Sequence, residues 1–154
     1  MGDYDANANI GCFRRCHSLA PPTIAEGALA VSLHADVAKI GWTYGRTFNK
    51  KNEEEARTAA LEACRTTPDA TNKPQLRQLC VVVGVFHDRC VAVAWDAAAG
   101  TPGVGWAISP TKQEAENQAL ANCREKAGAS RRDFCKVDMG HGSAPGTLCD
   151  GSAR

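Results

Sequence analysis

The chain has 154 residues, 18 Lys and Arg against 17 Asp and Glu for a net charge of +1, and eight cysteines. That length suits one domain able to bury a core unaided, so the cysteines need a reason of their own. The balanced charge leaves no summed field to hold nucleic acid or an anionic membrane surface, and no stretch approaches the roughly 20 apolar residues of a membrane span.

In chain order, residues 1–26 read as an N-terminal arm carrying Cys12, Cys16 and Pro21-Pro22. Two strand-like runs follow, 27–33 and 40–44. Asn52 with Glu55 three positions on predicts a capping box, and Ala56, Ala59, Ala60, Ala63 and Cys64 then recur with the spacing of one helical face. The segment with Pro68, Asp69, Asn72 and Pro74 is expected to be a loop, and Cys80-Val81-Val82-Val83 a third strand. His87-Asp88 has the polarity of a turn.

The same order then returns: runs at 90–96 and 104–108, a capping box at Thr111 and Glu114, a helix with Ala115, Ala119, Leu120 and Cys123, and a strand at Cys135-Lys136-Val137. Helical positions correspond at a constant offset of 59 (Cys64 with Cys123), the third strands at 55 (Cys80 with Cys135), and Trp42 is matched with Trp106 at 64. On that alignment the first copy has five extra residues between its second strand and its helix. The expected fold is α+β: a duplicated strand-strand-helix-strand unit in one domain, 27–149 (repeat one 27–86, repeat two 90–139). It has a mainly antiparallel sheet with both helices on one face, and an irregular tail to 154 pinned by Cys149.

No cysteine pair has C-x-x-C spacing, so the set reads as disulfide staples. Disulfides persist in oxidising compartments, which points to the periplasm or the exterior. An exported chain needs a leader, and Met1-Gly2-Asp3 is read as standing in place of one. Ala6 sits where a myristoylation motif wants Ser or Thr. Repeat symmetry favours Cys64 with Cys80 and Cys123 with Cys135. Cys90, without a partner in its own unit, is assigned to Cys149. Cys12 and Cys16 remain for each other, with an exchange involving Cys90 or Cys149 left open and a zinc site with His17 as the alternative.

The passages Gly27-Ala28-Leu29-Ala30, Gly41-Trp42, Glu55-Ala56, Ala60-Leu61-Glu62-Ala63-Cys64, Cys90-Val91-Ala92-Val93, Gly105-Trp106, Glu114-Ala115 and Ala119-Leu120-Ala121-Asn122-Cys123 together resemble the secreted bacterial domain of unknown function 4189 over residues 27–149. The resemblance implies export and a disulfide-bonded fold; it implies no reaction.

Catalytic motifs are not evident. His17, His34, His87 and His141 lie beside no activated nucleophile, and Ser143 is flanked two positions away by His141 and Pro145 where a nucleophile elbow needs glycines. The glycines at 100, 103 and 105 read as a hairpin loop, and Glu53-Glu54-Glu55 as a helix start favoured by the macrodipole. No catalytic residue, cofactor or metal is assigned. Trp42 and Trp106 are read as packing, Trp95 and Tyr44 as candidate binding residues. The expected function is a periplasmic or secreted protein-binding domain, most concretely an immunity or inhibitor protein against a secreted antibacterial effector. A cell-envelope or host-directed binding factor and a hydrolase with an unrecognised site are the alternatives.

Overall fold

The structure, a computed structural model, describes residues 25–32, 34–140 and 146–153. The strand β1 (Glu26–Ser32) is apolar on both faces, and the two faces differ in size. Ala28 and Ala30 point to one side with Ala56, Ala60 and Cys64 of the helix α2 (Glu53–Arg65); Leu29 and Val31 point to the other. Small side chains let the helix lie close, and the larger ones demand a second cover. The strand β4 (Cys90–Asp96) repeats the arrangement. Cys90, Ala92 and Ala94 meet Ala115, Ala119 and Cys123 of α5 (Lys112–Ala127), while Val91 and Val93 join Leu29, Val31 and Phe86 in a central cluster.

Four layers result: α2, a sheet of order β2-β1-β3, a sheet of order β5-β4-β6 with β7 also paired to β4, and α5. Here β2 is Tyr44–Lys50, β3 Cys80–Phe86, β5 Val104–Ser109, β6 Cys135–Val137 and β7 Leu148–Cys149, and every pairing is antiparallel. The expected α+β, antiparallel architecture is present, but as two sheets rather than one. Each helix covers the outer face of its own sheet, because each third strand returns beside its own first strand and leaves an apolar inner face that only the other sheet can cover.

The halves follow one plan of strand and helix order, and their register corrects the alignment read from sequence. Ala30 faces Gly45 and Ala94 faces Gly105. A Cβ on Gly45 would meet the backbone of Ala60, Ala63 and Cys64, and one on Gly105 that of Ala119, Asn122 and Cys123. Gly45 therefore corresponds to Gly105, and the partner of Trp106 is Arg46, not Trp42. Trp95 corresponds to Val31 and Tyr44 to Val104. The five-residue insertion shrinks to a single residue, absorbed by a bulge opposite Glu26/Ala28 where Asn49 takes a left-handed φ of 53°.

Three further expectations change. Residues 37–40 form one helical turn, α1 (Val37–Ile40), capped by Asp36, so the second strand of the first half starts at Tyr44 rather than at 40. The expected loop after α2 contains two short helices, α3 (Pro68–Asn72) and α4 (Pro74–Gln78); each opens on a proline, and Ala70 and Leu76 are buried. A proline at the first helical position loses no hydrogen bond, which is why these prolines start helices instead of preventing them. The tail is not irregular throughout: Leu148 and Cys149 pair with Val91 and Cys90. Together β6 and β7 occupy the edge of β4 that the unbroken β3 occupies on β1.

Cysteine sulfurs stand at disulfide distance in three pairs: Cys64 with Cys80, Cys123 with Cys135, and Cys90 with Cys149. The first two tie each helix to the third strand of its own sheet, with Cα atoms 6.1 and 6.0 Å apart. Cys12, Cys16 and His17 lie outside the described residues, as do His141 and Ser143.

Candidate functional site

At one end of the sandwich three aromatic rings pack against the central cluster between the sheets. Trp42 and Tyr44 are two residues apart on extended chain and so share a side; their rings stack at 5.2 Å and 20°. Trp95 comes from the other sheet, its ring edge-on to Trp42 at 5.7 Å and tilted against Tyr44 at 5.8 Å. All three are half-buried. They floor an open cleft of about 1040 Å³.

One wall is the 37–43 segment with α3 and α4. Thr43 exchanges backbone and side-chain hydrogen bonds with Ser32, its hydroxyl meets that of Thr67 at 2.6 Å, and Lys73 Nζ donates to the Ile40 carbonyl. The opposite wall is the 96–103 connection, whose exposed Ala97, Ala98 and Ala99 present little but backbone and methyl groups. Asp96 holds it: one carboxylate oxygen accepts from Ala98 N–H, and Arg131 donates to both oxygens at 2.6 and 2.8 Å. The Arg131 hydrogen bonds outweigh the opposing effect of burial and lower the Asp96 carboxyl to about 2.

Beneath the rings lies a second polar anchor. Asp138, buried, accepts from Tyr44 Oη and, at 3.0 Å, from Arg46 Nη2, and Arg46 also donates to the Gly146 carbonyl. Burial pushes the Tyr44 phenol above its ordinary value; Arg46 opposes this in part and Asp138 adds to it. The residue that locks the ring cluster thus directly follows β6, its own N–H donating to the Val93 carbonyl of β4 at 2.8 Å.

The 26–139 segment, from β1 to just past Asp138, matches the family model described as Domain of unknown function (DUF4189). The chain belongs to this family. No curated protein and no solved structure matches the chain. Within the DUF4189 span lie both sheets' first three strands, both main helices and every aromatic and charged residue of the cleft named above. Gly146, β7 and Cys149 lie past it.

Of the residues singled out in the sequence, Trp95 and Tyr44 come together at the cleft, and Trp42, read there as packing, joins them. Trp106, also read as packing, lies against the same central cluster but outside the cleft, with Lys126 Nζ 4.6 Å from its ring. The glycine-bearing loop read as a plain hairpin supplies the cleft's second wall. Among the described residues no group of three or more His, Cys, Asp or Glu could hold a metal ion. His87 lies in the β3–β4 turn, its Nδ1 2.6 Å from the Ala25 carbonyl and its Nε2 3.2 Å from Asp88. His34 Nδ1 accepts from Asp36 N–H. The α3–α4 wall and the Asp96–Arg131 lock escaped the sequence reading. Thr67-Pro68 was a signal for the first, a capping hydroxyl followed by proline at a helix start; nothing in the spacing of 96 and 131 announces the second. Of the membrane question the structure says that no described helix is long and apolar enough to cross one.

Proposed function

We propose that the chain is an extracytoplasmic protein-binding domain that receives a partner's protruding segment in the aromatic cleft. The reading rests on one observation: a preformed cleft whose floor is Trp42, Tyr44 and Trp95 and whose walls are braced by hydrogen bonds, so that little ordering is left for the moment of binding. Its lining is mostly apolar, with alanines along the 96–103 wall. Asp96 on its wall is already held by Arg131, and Asp138 beneath the rings by Arg46. Large apolar side chains of a protein partner are anchored by aromatic-lined pockets of this kind. Disulfide staples support a periplasmic or secreted location. The finer reading, an immunity or inhibitor protein whose partner is a secreted antibacterial effector, draws its support from the small, stapled fold and its preformed cleft.

The test is affinity capture from the periplasmic and secreted fractions of the producing bacterium, with the full chain and its Ala98→Trp variant as paired baits. Ala98 is exposed on the wall, so an indole there obstructs the cleft without entering the core. A single stoichiometric protein captured by the parent and lost with the variant supports the reading. A toxin so captured supports the inhibitor role, and a partner retained equally by both baits refutes the cleft as the binding surface.

A further inference from the structure

Next to the aromatic cleft is a second cavity of about 530 Å³, and the two share Trp95, Asp96, Ala97 and Ala98 as a common wall. Two of the most exposed large apolar side chains among the described residues line this second cavity: Phe134, 54% exposed, and Met139, 86% exposed. Phe134 carries the Arg131 guanidinium over its ring at 4.3 Å, so the arginine that locks Asp96 also props this rim. An unbranched thioether standing almost wholly in solvent beside an exposed aromatic ring adapts readily to an incoming apolar side chain.

The charges along this path are uneven. Arg46–Asp138 and Arg131–Asp96 are paired with each other and face inward. The exposed charged residues lining the two cavities are Lys39, Lys73 and Lys136 against Asp69 alone. A chain with net charge +1 thus gathers three lysines around two adjoining cavities.

We propose that the two cavities form one groove for an extended acidic segment of the protein partner. Such a segment inserts one apolar side chain over Trp42, Tyr44 and Trp95 and a second between Phe134 and Met139, and its carboxylates lie against Lys39, Lys73 and Lys136. The proposal rests on the protein-binding reading above and adds to it the chemistry and reach of the bound segment. An extended chain projects alternate side chains to one side, which suits two depressions separated by a low wall. Lysines at the rim act on partner choice and association more than on the anchors themselves.

The probe is a displayed library of random linear peptides selected on the full chain, followed by binding of the enriched peptides, resynthesised, to single variants. The expected result is enrichment of peptides with Asp or Glu between two large apolar residues, weakened about tenfold by Lys136→Glu and by Met139→Ala as well as by Lys73→Glu, and weakened further by added salt. All three positions are exposed, so their substitution leaves the core intact, and Lys73→Glu also removes the hydrogen bond to the Ile40 carbonyl, which makes Lys136→Glu the cleaner reading of charge. Peptides that respond to Lys73→Glu and Ala98→Trp but not to Lys136→Glu or Met139→Ala overturn the continuous groove and leave the cleft standing. Enriched peptides that are neutral or basic overturn the charge assignment. Failure to enrich any peptide, or enrichment indifferent to every variant, overturns both the groove and the protein-binding reading.

Discussion

Replacing Gly45 or Gly105 by alanine should cost far more than a methyl group usually does. At 45 the new Cβ would stand 2.1 Å from Cys64 N and 2.5 Å from Ala60 O; at 105 it would stand 2.4 Å from Cys123 N and 2.5 Å from Ala119 O. The obstructing atoms are helix backbone and cannot rotate aside, so the helix must retreat by about 1 Å. A gap of that size forfeits a quarter to a half of the dispersion energy of each contact it opens. On the first side those contacts include Ala56, Ala60 and Cys64, and on the second Ala115, Ala119 and Cys123, all fully buried. Overpacking of this kind costs about 3 kcal/mol at its upper range, or roughly 10 °C in melting temperature for a chain of this size. The internal control is Gly84→Ala, whose Cβ would come within 2.4 Å of Ile108 Cδ1, the tip of a flexible side chain, with its next neighbour at 3.9 Å. A rotamer change relieves it, so the expected cost is below about 1 kcal/mol. Thermal unfolding of the oxidised protein followed by circular dichroism reads all three. If Gly45→Ala and Gly105→Ala melt with the parent, or if Gly84→Ala is the worst of the set, the close seating of the helices on their sheets is wrong.

Asp96 is held at about 2 by Arg131, so its contribution to stability is complete above the ordinary carboxylate value near 4 and is lost as pH falls through 2. Urea unfolding should show the parent weakening between pH 4 and 2 more steeply than Asp96→Asn, and parallel curves would contradict the lock. The His87 imidazole is raised above its ordinary value, chiefly by the Ala25 carbonyl, with Asp88, Glu26 and Asp150 adding to the effect. What it adds to stability is present below pH 6.5 and fades as pH rises beyond its folded value, so titration of His87 by NMR should give a midpoint above that of a free histidine, and a midpoint below it would be the contrary result. Replacing Cys123 and Cys135 together by alanine should destabilise by about 3 kcal/mol, and replacing Cys90 with Cys149 by about 4 kcal/mol because the closed loop is longer. The reverse order in guanidinium unfolding would show that loop closure is not what these bridges supply.

Much of the fold was legible because it is written in local chemistry. Asn52 and Thr111 do cap the helices as their spacing with Glu55 and Glu114 suggests, accepting from those amides at 2.8 and 3.3 Å. The cysteines at each helix end and following strand start could be placed by the same reasoning. The split into two sheets was harder to read, although the unbroken apolar runs of β1 and β4 signal burial on both faces rather than one. The alignment of Trp42 with Trp106 failed because a Gly-Trp dipeptide matches by letters, whereas the physical constraint is the glycine beneath the helix, met by Gly45 and Gly105. At the cleft, Trp95 and Tyr44 were visible as aromatic residues of the kind that anchor interfaces, and the register sets a valine at the corresponding position of the other half in each case. Asp138 and Arg131 were not, since ion pairs closed over sequence separations of 92 and 35 leave no local pattern.

The proposed function is the docking of a protein partner in the cleft over Trp42, Tyr44 and Trp95. It is tested most directly by calorimetric titration of a partner captured by the parent chain into the parent and into Ala98→Trp, with the melting temperature of each measured alongside. The expected result is a loss of at least about 2 kcal/mol in binding, roughly thirtyfold in affinity, at an unchanged melting temperature. Equal affinity for the two proteins would contradict it.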